Sequence, residues 1–202
     1  MLRKLRMNQR LRLVDTFQFP ATARYRFALH HPGLADDDRS LVEAATRQWF
    51  RLAARHPKAE LSMPSVVVDA LWQELMLHSR EYATFCEAAF GRNLHREPGS
   101  PMSATPDRAA RLRHTLDLAR QDDGCGARGI PLLFRIDREL GTDRDSAYVP
   151  DCGGHGECYE PSGKACLQHL TGLDSRPQTG RSNPGAGPPN PYQWPNQGMG
   201  PA

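Results

Sequence analysis

Five side chains near the C-terminal end carry the donor atoms that a tetrahedral metal site needs: Cys152, His155, Cys158, Cys166 and His169. Cysteine thiolates and histidine imidazoles are the usual ligands of structural Zn²⁺, and the three cysteines with either His155 or His169 make the required four. The spacing works against such a centre. Cys152, Cys158 and Cys166 are too widely spread along the chain to supply the close cysteine pair that pre-arranges two ligands. Gly153, Gly154 and Gly156 leave the backbone free to wrap an ion, but the same freedom makes the loop expensive to order. Two readings stand side by side: bound zinc, and reduced thiols without a ligand.

A second set of donors lies in the middle of the chain, where Glu74, His78 and His95 would meet only if the fold brought them together. The Cys/His loop together with His95 would define a zinc enzyme or a redox protein. A histidine beside an apolar helix face is more commonly structural than catalytic. Asp69 and Glu74 are five apart, which puts them on different sides of a helix and argues against a paired-carboxylate mechanism. Cys86 falls on an apolar stripe between Phe85 and Ala89 and reads as a small core residue. The chain contains no Gly-x-Ser-x-Gly elbow, Walker loop, Rossmann glycine fingerprint or His-Glu-x-x-His sequence.

The elements that would have to position these groups are clearest between Met63 and Pro98. Ser65 is placed to cap a helix in which Val68, Leu71, Trp72 and Leu75 form one stripe. Ser79 is placed to cap a second helix, with Tyr82, Phe85, Cys86, Ala89 and Phe90 on one face and Gly91 suited to a left-handed end. Joined at His78–Ser79, the two helices would share a core of Trp72, Tyr82, Phe85 and Phe90.

These same residues carry a resemblance. The order Met63-Pro64-Ser65, Val67-Val68-Asp69, Leu71-Trp72, Arg80, Tyr82, Phe85-Cys86, Ala89-Phe90-Gly91-Arg92 and Leu94-His95 resembles the bacterial relatives of the glycine-rich domain-containing protein-like family. The likeness extends from the Phe17–Pro20 segment to Asp151–Cys152, taking in Pro131-Leu132-Leu133-Phe134 and Glu139-Leu140-Gly141. It bears on the fold and implies no established activity. Members of that family have histidine directly after the tryptophan and a second histidine after the one matching His95, whereas this chain has Gln73 and Arg96. If those histidines form a site in the resembled proteins, this chain has lost it.

Elsewhere the helical signals are local. A short helix is expected from Ala21 to Leu29, with His30 and His31 at its end before Pro32. Ser40 and Glu43 have the capping-box spacing, preceded by Asp36, Asp37 and Asp38, and Val42, Ala45, Trp49, Leu52 and Ala53 form the inner face of the helix that follows, which ends near His56-Pro57. Thr105-Pro106 opens a further helix with Ala109, Leu112, Leu116 and Ala119 inward. Pro131 to Leu140 is too short to separate strand from helical turn.

The chain has 202 residues, of which 26 are Lys or Arg and 23 Asp or Glu, and a balance of +3 does not by itself argue for nucleic acid. The charge is uneven: Arg3, Lys4, Arg6, Arg10 and Arg12 stand between Met1 and Val14 without an acid, interleaved with leucines. That start reads either as a solvated terminus or as a nucleic-acid or anionic-membrane contact. From Ser175 to Ala202 prolines and glycines recur every few positions and no apolar period runs through them. Such a composition predicts a disordered tail, with Tyr192, Trp194 and Pro188-Pro189-Asn190-Pro191 as docking elements. Five cysteines, an odd number, do not suggest a secreted disulfide framework, and no apolar leader follows the charged start, so the cytoplasm is the expected compartment.

These observations give one mainly α domain with about four principal helices around Trp49, Leu71, Trp72, Phe85, Phe90 and Leu112. The expected organisation is a basic N-terminal arm (1–14), the helical domain (15–150), a Cys/His loop (151–170) and a Pro/Gly-rich disordered tail (171–202). The expected function is a non-catalytic helical binding or scaffold module for a protein partner, with the tail docking elsewhere.

Overall fold

The computed structural model describes residues 2–96, 106–126, 129–142, 148–149 and 165–166; for residues 2, 3, 106–109, 148, 149, 165 and 166 the description stops at the backbone. The helices are α1 (Leu2–Thr16), α2 (Ala21–His30), α3 (Asp36–Arg55), α4 (Val66–Met76), α5 (Ser79–Phe90), α6 (Pro106–Asp123) and α7 (Leu132–Glu139). The mainly α architecture is as expected, with seven helices among the described residues instead of four principal ones. Two very short strands, β1 (Tyr148–Val149) and β2 (Ala165–Cys166), pair in parallel. No helix among the described residues is long and apolar enough to cross a membrane.

The hub is α3. Val42, Ala45, Trp49, Phe50, Leu52, Ala53 and Ala54 are all buried, and their positions cover more than one helix face. A surface helix shows one apolar stripe, whereas a helix surrounded by neighbours is apolar on several sides. Accordingly α3 packs against α1, α4, α5, α6 and α7. The residues expected in the core, Trp49, Leu71, Trp72, Phe85, Phe90 and Leu112, are all buried there.

The pair α4 and α5 follows the expected plan, with one change at its junction. Ser65 caps α4 by accepting from the Val68 N–H at 3.1 Å, and Gly91 ends α5 at φ 70°, a left-handed conformation that favours glycine. Ser79, however, is the first helical residue of α5 and makes no side-chain cap; His78 holds the cap position. The Trp72 indole N–H donates to the Tyr82 hydroxyl at 2.8 Å, and that hydroxyl donates to the Leu94 carbonyl at 2.6 Å, so both buried polar groups are satisfied.

The start of α3 corrects another expectation. Ser40 and Glu43 do not form a capping box, because the helix begins one turn earlier, after Ala35, where the Asp38 carboxylate accepts from the Ala35 N–H at 2.9 Å. Ser40 Oγ instead donates to the Asp36 carbonyl, and Glu43 turns to Arg24. The acidic triplet Asp36, Asp37 and Asp38 then lies in the first turn, where the helix dipole favours negative charge.

Two helix starts are satisfied from a distance. Asp137 of α7 accepts from Ser65 Oγ at 2.7 Å and from the backbone N–H of Val66 at 2.8 Å and of Val67 at 3.2 Å, closing the first turn of α4. Gln48 of α3 accepts from the Leu133 N–H at 2.6 Å and donates to Asp123, tying the start of α7 to the end of α6. The short α7 holds as a helix because Leu133, Phe134 and Ile136 bury against this frame.

Candidate functional site

Helix α2 sorts its side chains into three faces. Ala23 and Phe27, four apart, are buried. Thr22, Arg26 and His30 continue the same spacing along a polar seam with α4, where the buried Glu74 receives the Arg26 Nε at 2.7 Å and lies 3.1 Å from His30 Nδ1. Thr22 Oγ1 and His78 Nε2 share a hydrogen bond at 3.1 Å. The third face, with Ala21, Arg24, Tyr25 and Ala28, looks across a groove to α3.

That groove has a volume of about 510 Å³, with Phe27 and Leu71 among the lining groups and Asp36, Arg39, Ser40 and Glu43 of α3 opposite. Its charges neutralise one another. Arg24 forks onto Glu43 at 2.7 and 2.8 Å, and Arg39 pairs with Asp36 at 2.6 Å. Tyr25, which lines it, and Leu29, four residues further along α2, are 66% and 59% exposed. An open groove whose lining charges are paired with one another, beside the exposed Tyr25, offers no free charge to a ligand and suits an uncharged segment.

A second constellation surrounds Asp69 on α4. Arg96, beyond the end of α5, forks onto its carboxylate, Nε to Oδ1 at 2.8 Å and Nη2 to Oδ2 at 2.7 Å, while Gln73 donates to Oδ2 at 3.1 Å. The hydrogen bonds to Asp69 raise the Arg96 pKa against the smaller opposing effect of burial. Gln73 and Arg96 are the two positions where the chain departs from the resembled pattern, and both fall on this one carboxylate. Replacing Arg96 with Ala is expected to lower unfolding free energy by about 1 kcal/mol in urea titration. Arg96→Lys should restore only part of it, because an ammonium cannot reproduce the fork.

Of the donors expected to bind metal, Cys152, His155, Cys158 and His169 lie outside the described residues, and Cys166 is described only as backbone in β2. Glu74, His78 and His95 do not converge, in line with the structural reading of these histidines: Glu74 and His78 face α2, whereas His95 is exposed on the segment after α5. No group of three or more potential metal-binding His, Cys, Asp or Glu residues occurs among the described residues. Asp69 and Glu74 engage different partners, Arg96 and Arg26, as their spacing required. His31, expected as a helix end, caps α2 and lies against the Phe27 ring, where burial and then His30 lower its pKa.

Cys86 is buried in the core, and burial raises its pKa, so it lacks the thiolate character of a nucleophile. In native protein, Cys86→Ser should leave unchanged the number of thiols that react quickly with an aromatic disulfide reagent; the loss of one fast thiol would contradict the packing described.

The groove was not found from sequence. Its signal was present: α2 carries apolar residues on two sides, Ala23 and Phe27 inward, Tyr25 and Leu29 outward, where an ordinary surface helix needs only one apolar side.

A family model described as UCP032817-like matches residues 9–170. That stretch contains both constellations and every helix, α1 in its second half only. The description names no activity. No curated protein and no solved structure matches the chain.

Proposed function

The chain belongs to the UCP032817-like family, and from there we propose that it is a non-catalytic helical binding module that holds an extended, uncharged segment of a protein partner between α2 and α3. The observation that carries this reading is the groove itself: open, bordered by exposed Tyr25 with exposed Leu29 one turn further along α2, and with Arg24, Glu43, Arg39 and Asp36 already paired. A charged ligand would have to break one of those pairs, whereas an apolar segment leaves them intact and covers the exposed ring and methyl groups. The cytoplasm is part of the same proposal and is supported by the free thiols of Cys86 and Cys125. So is a relationship to the glycine-rich domain-containing protein-like family, supported by the order of matched residues from Met63-Pro64-Ser65 to Leu94-His95.

The test places a photo-crosslinking aromatic amino acid at Tyr25 of the full chain in its native cell, with the same group at exposed Arg113 as a control. A discrete adduct specific to position 25, abolished by Leu29→Ser without a change in melting temperature, is the expected result. Equal labelling from both positions, or none from either, would reject the groove as the binding surface.

A further inference from the structure

The basic start of the chain is a packed helix with a defined outer face. Val14 is buried and Leu11 packs against the core, fixing which side of α1 points inward, against α3 and α5. Opposite them, Leu5, Gln9, Arg12 and Leu13 lie together with Arg6 beside them, and Leu5 is 60% exposed.

Charge is concentrated on this helix. Arg3, Lys4, Arg6, Arg10 and Arg12 stand between Met1 and Val14, where none of the chain's 23 acids falls, although 26 Lys and Arg give the whole chain a balance of only +3. Without those five cations the remainder is slightly acidic, so the basic character of the molecule belongs to α1. Among the described residues, Lys4, Arg6, Arg10 and Arg12 form no ion pair, whereas Arg24, Arg26, Arg39, Arg47, Arg51, Arg55 and Arg96 each face a carboxylate. Arg10 is accounted for otherwise: its guanidinium lies against Gly91, at the end of α5 where the helix dipole is negative. Lys4, Arg6 and Arg12 remain, all exposed, and of these Arg6 and Arg12 border the two exposed leucines.

We propose that the outer face of α1 docks on an anionic lipid surface, with Leu5 and Leu13 entering the headgroup region and Arg6 and Arg12 meeting lipid phosphates. Unpaired cations alone would suit any polyanion. Exposed leucines between them favour a partner that has an apolar layer directly beneath its negative charge, which a bilayer has and a nucleic acid backbone lacks. No helix among the described residues spans a membrane, so the contact is peripheral and reversible.

The experiment is co-sedimentation of the full chain with vesicles of phosphatidylcholine containing about 30 mol% phosphatidylserine, against pure phosphatidylcholine and against single-stranded DNA. Binding to the anionic vesicles that falls more than about tenfold from low to high salt is expected, with little binding to neutral ones. Arg6→Gln with Arg12→Gln should weaken partition more than about tenfold, Leu5→Ser with Leu13→Ser several-fold, and Arg10→Gln much less, each with an unchanged circular dichroism spectrum. Equal partition onto neutral vesicles would overturn the proposal. So would loss with the arginine pair but none with the leucine pair, or binding to DNA without binding to vesicles, since each leaves the bilayer no role.

Discussion

Trp72→Ala is expected to lower the unfolding free energy by about 4 kcal/mol, the largest loss for a single position in this chain. The indole is buried, its ring centre lies 5.7 Å from that of Trp49, and it bridges α4 to α5 through Tyr82. Truncation removes the transfer free energy of an aromatic ring and leaves a void that α3, α4 and α5 cannot close together. Trp72→Phe separates the two contributions: most of the ring volume stays, the N–H donor goes, and a loss of about 1–2 kcal/mol is expected. Denaturant titration followed by far-ultraviolet circular dichroism measures both. A loss below about 1 kcal/mol for the alanine variant would show that Trp72 is peripheral to the core.

The same contact gives an alkaline dependence. Burial raises the Tyr82 pKa above its ordinary value near 10, so the unfolded chain releases that proton at lower pH than the folded one. Stability from this group therefore declines as pH rises above about 10, and Tyr82→Phe should make the alkaline limb of a stability–pH profile less steep.

Asp137→Ala is the second large effect, expected at about 3 kcal/mol and a fall in melting temperature on the order of 10 °C. One buried carboxylate on α7 receives Ser65 Oγ and two backbone N–H groups from the first turn of α4. Without it, donors buried under α7 lose their acceptor, which is costlier than losing an exposed cap. Asp137→Asn keeps the shape and one acceptor oxygen but brings an amide donor towards donors, so it should recover less than half of the loss. The midpoint of urea unfolding should move with an unchanged slope, because the folded and unfolded surfaces are the same. Wild-type stability in Asp137→Ala would mean that Ser65 closes the turn alone.

One lining residue of the candidate groove, Leu71, belongs to this frame. Leu71 lies less than two turns beyond the α4 start that Asp137 holds, and Phe27 reaches the floor from α2. An Asp137→Ala chain should thus lose the Tyr25 adduct as it melts, whereas Leu29→Ser should lose it while fully folded. The comparison distinguishes a missing scaffold from a missing contact.

The sequence alone determined what repeats along one helix. Apolar stripes three and four residues apart located α3, α4, α5 and α6; the Ser65 cap and the left-handed Gly91 set two of their ends. The burial of Trp49, Leu71, Trp72 and Phe85 followed from the same periodicity. Such signals are local, because they arise from helix geometry and from the few orphan groups at a helix end.

Only the tertiary structure decided which groups meet across tens of residues. The start of α4 is closed by Asp137, 71 positions from Val66, and the start of α7 by Gln48, 85 positions from Leu133, and no spacing rule links those pairs. Gln73 and Arg96 became one constellation because α5 turns the chain back beside α4 and both reach Asp69. The outward leucines of α1 and the open side of α2 acquired meaning in the same way. A helix has a surface only once its neighbours have covered the rest of it.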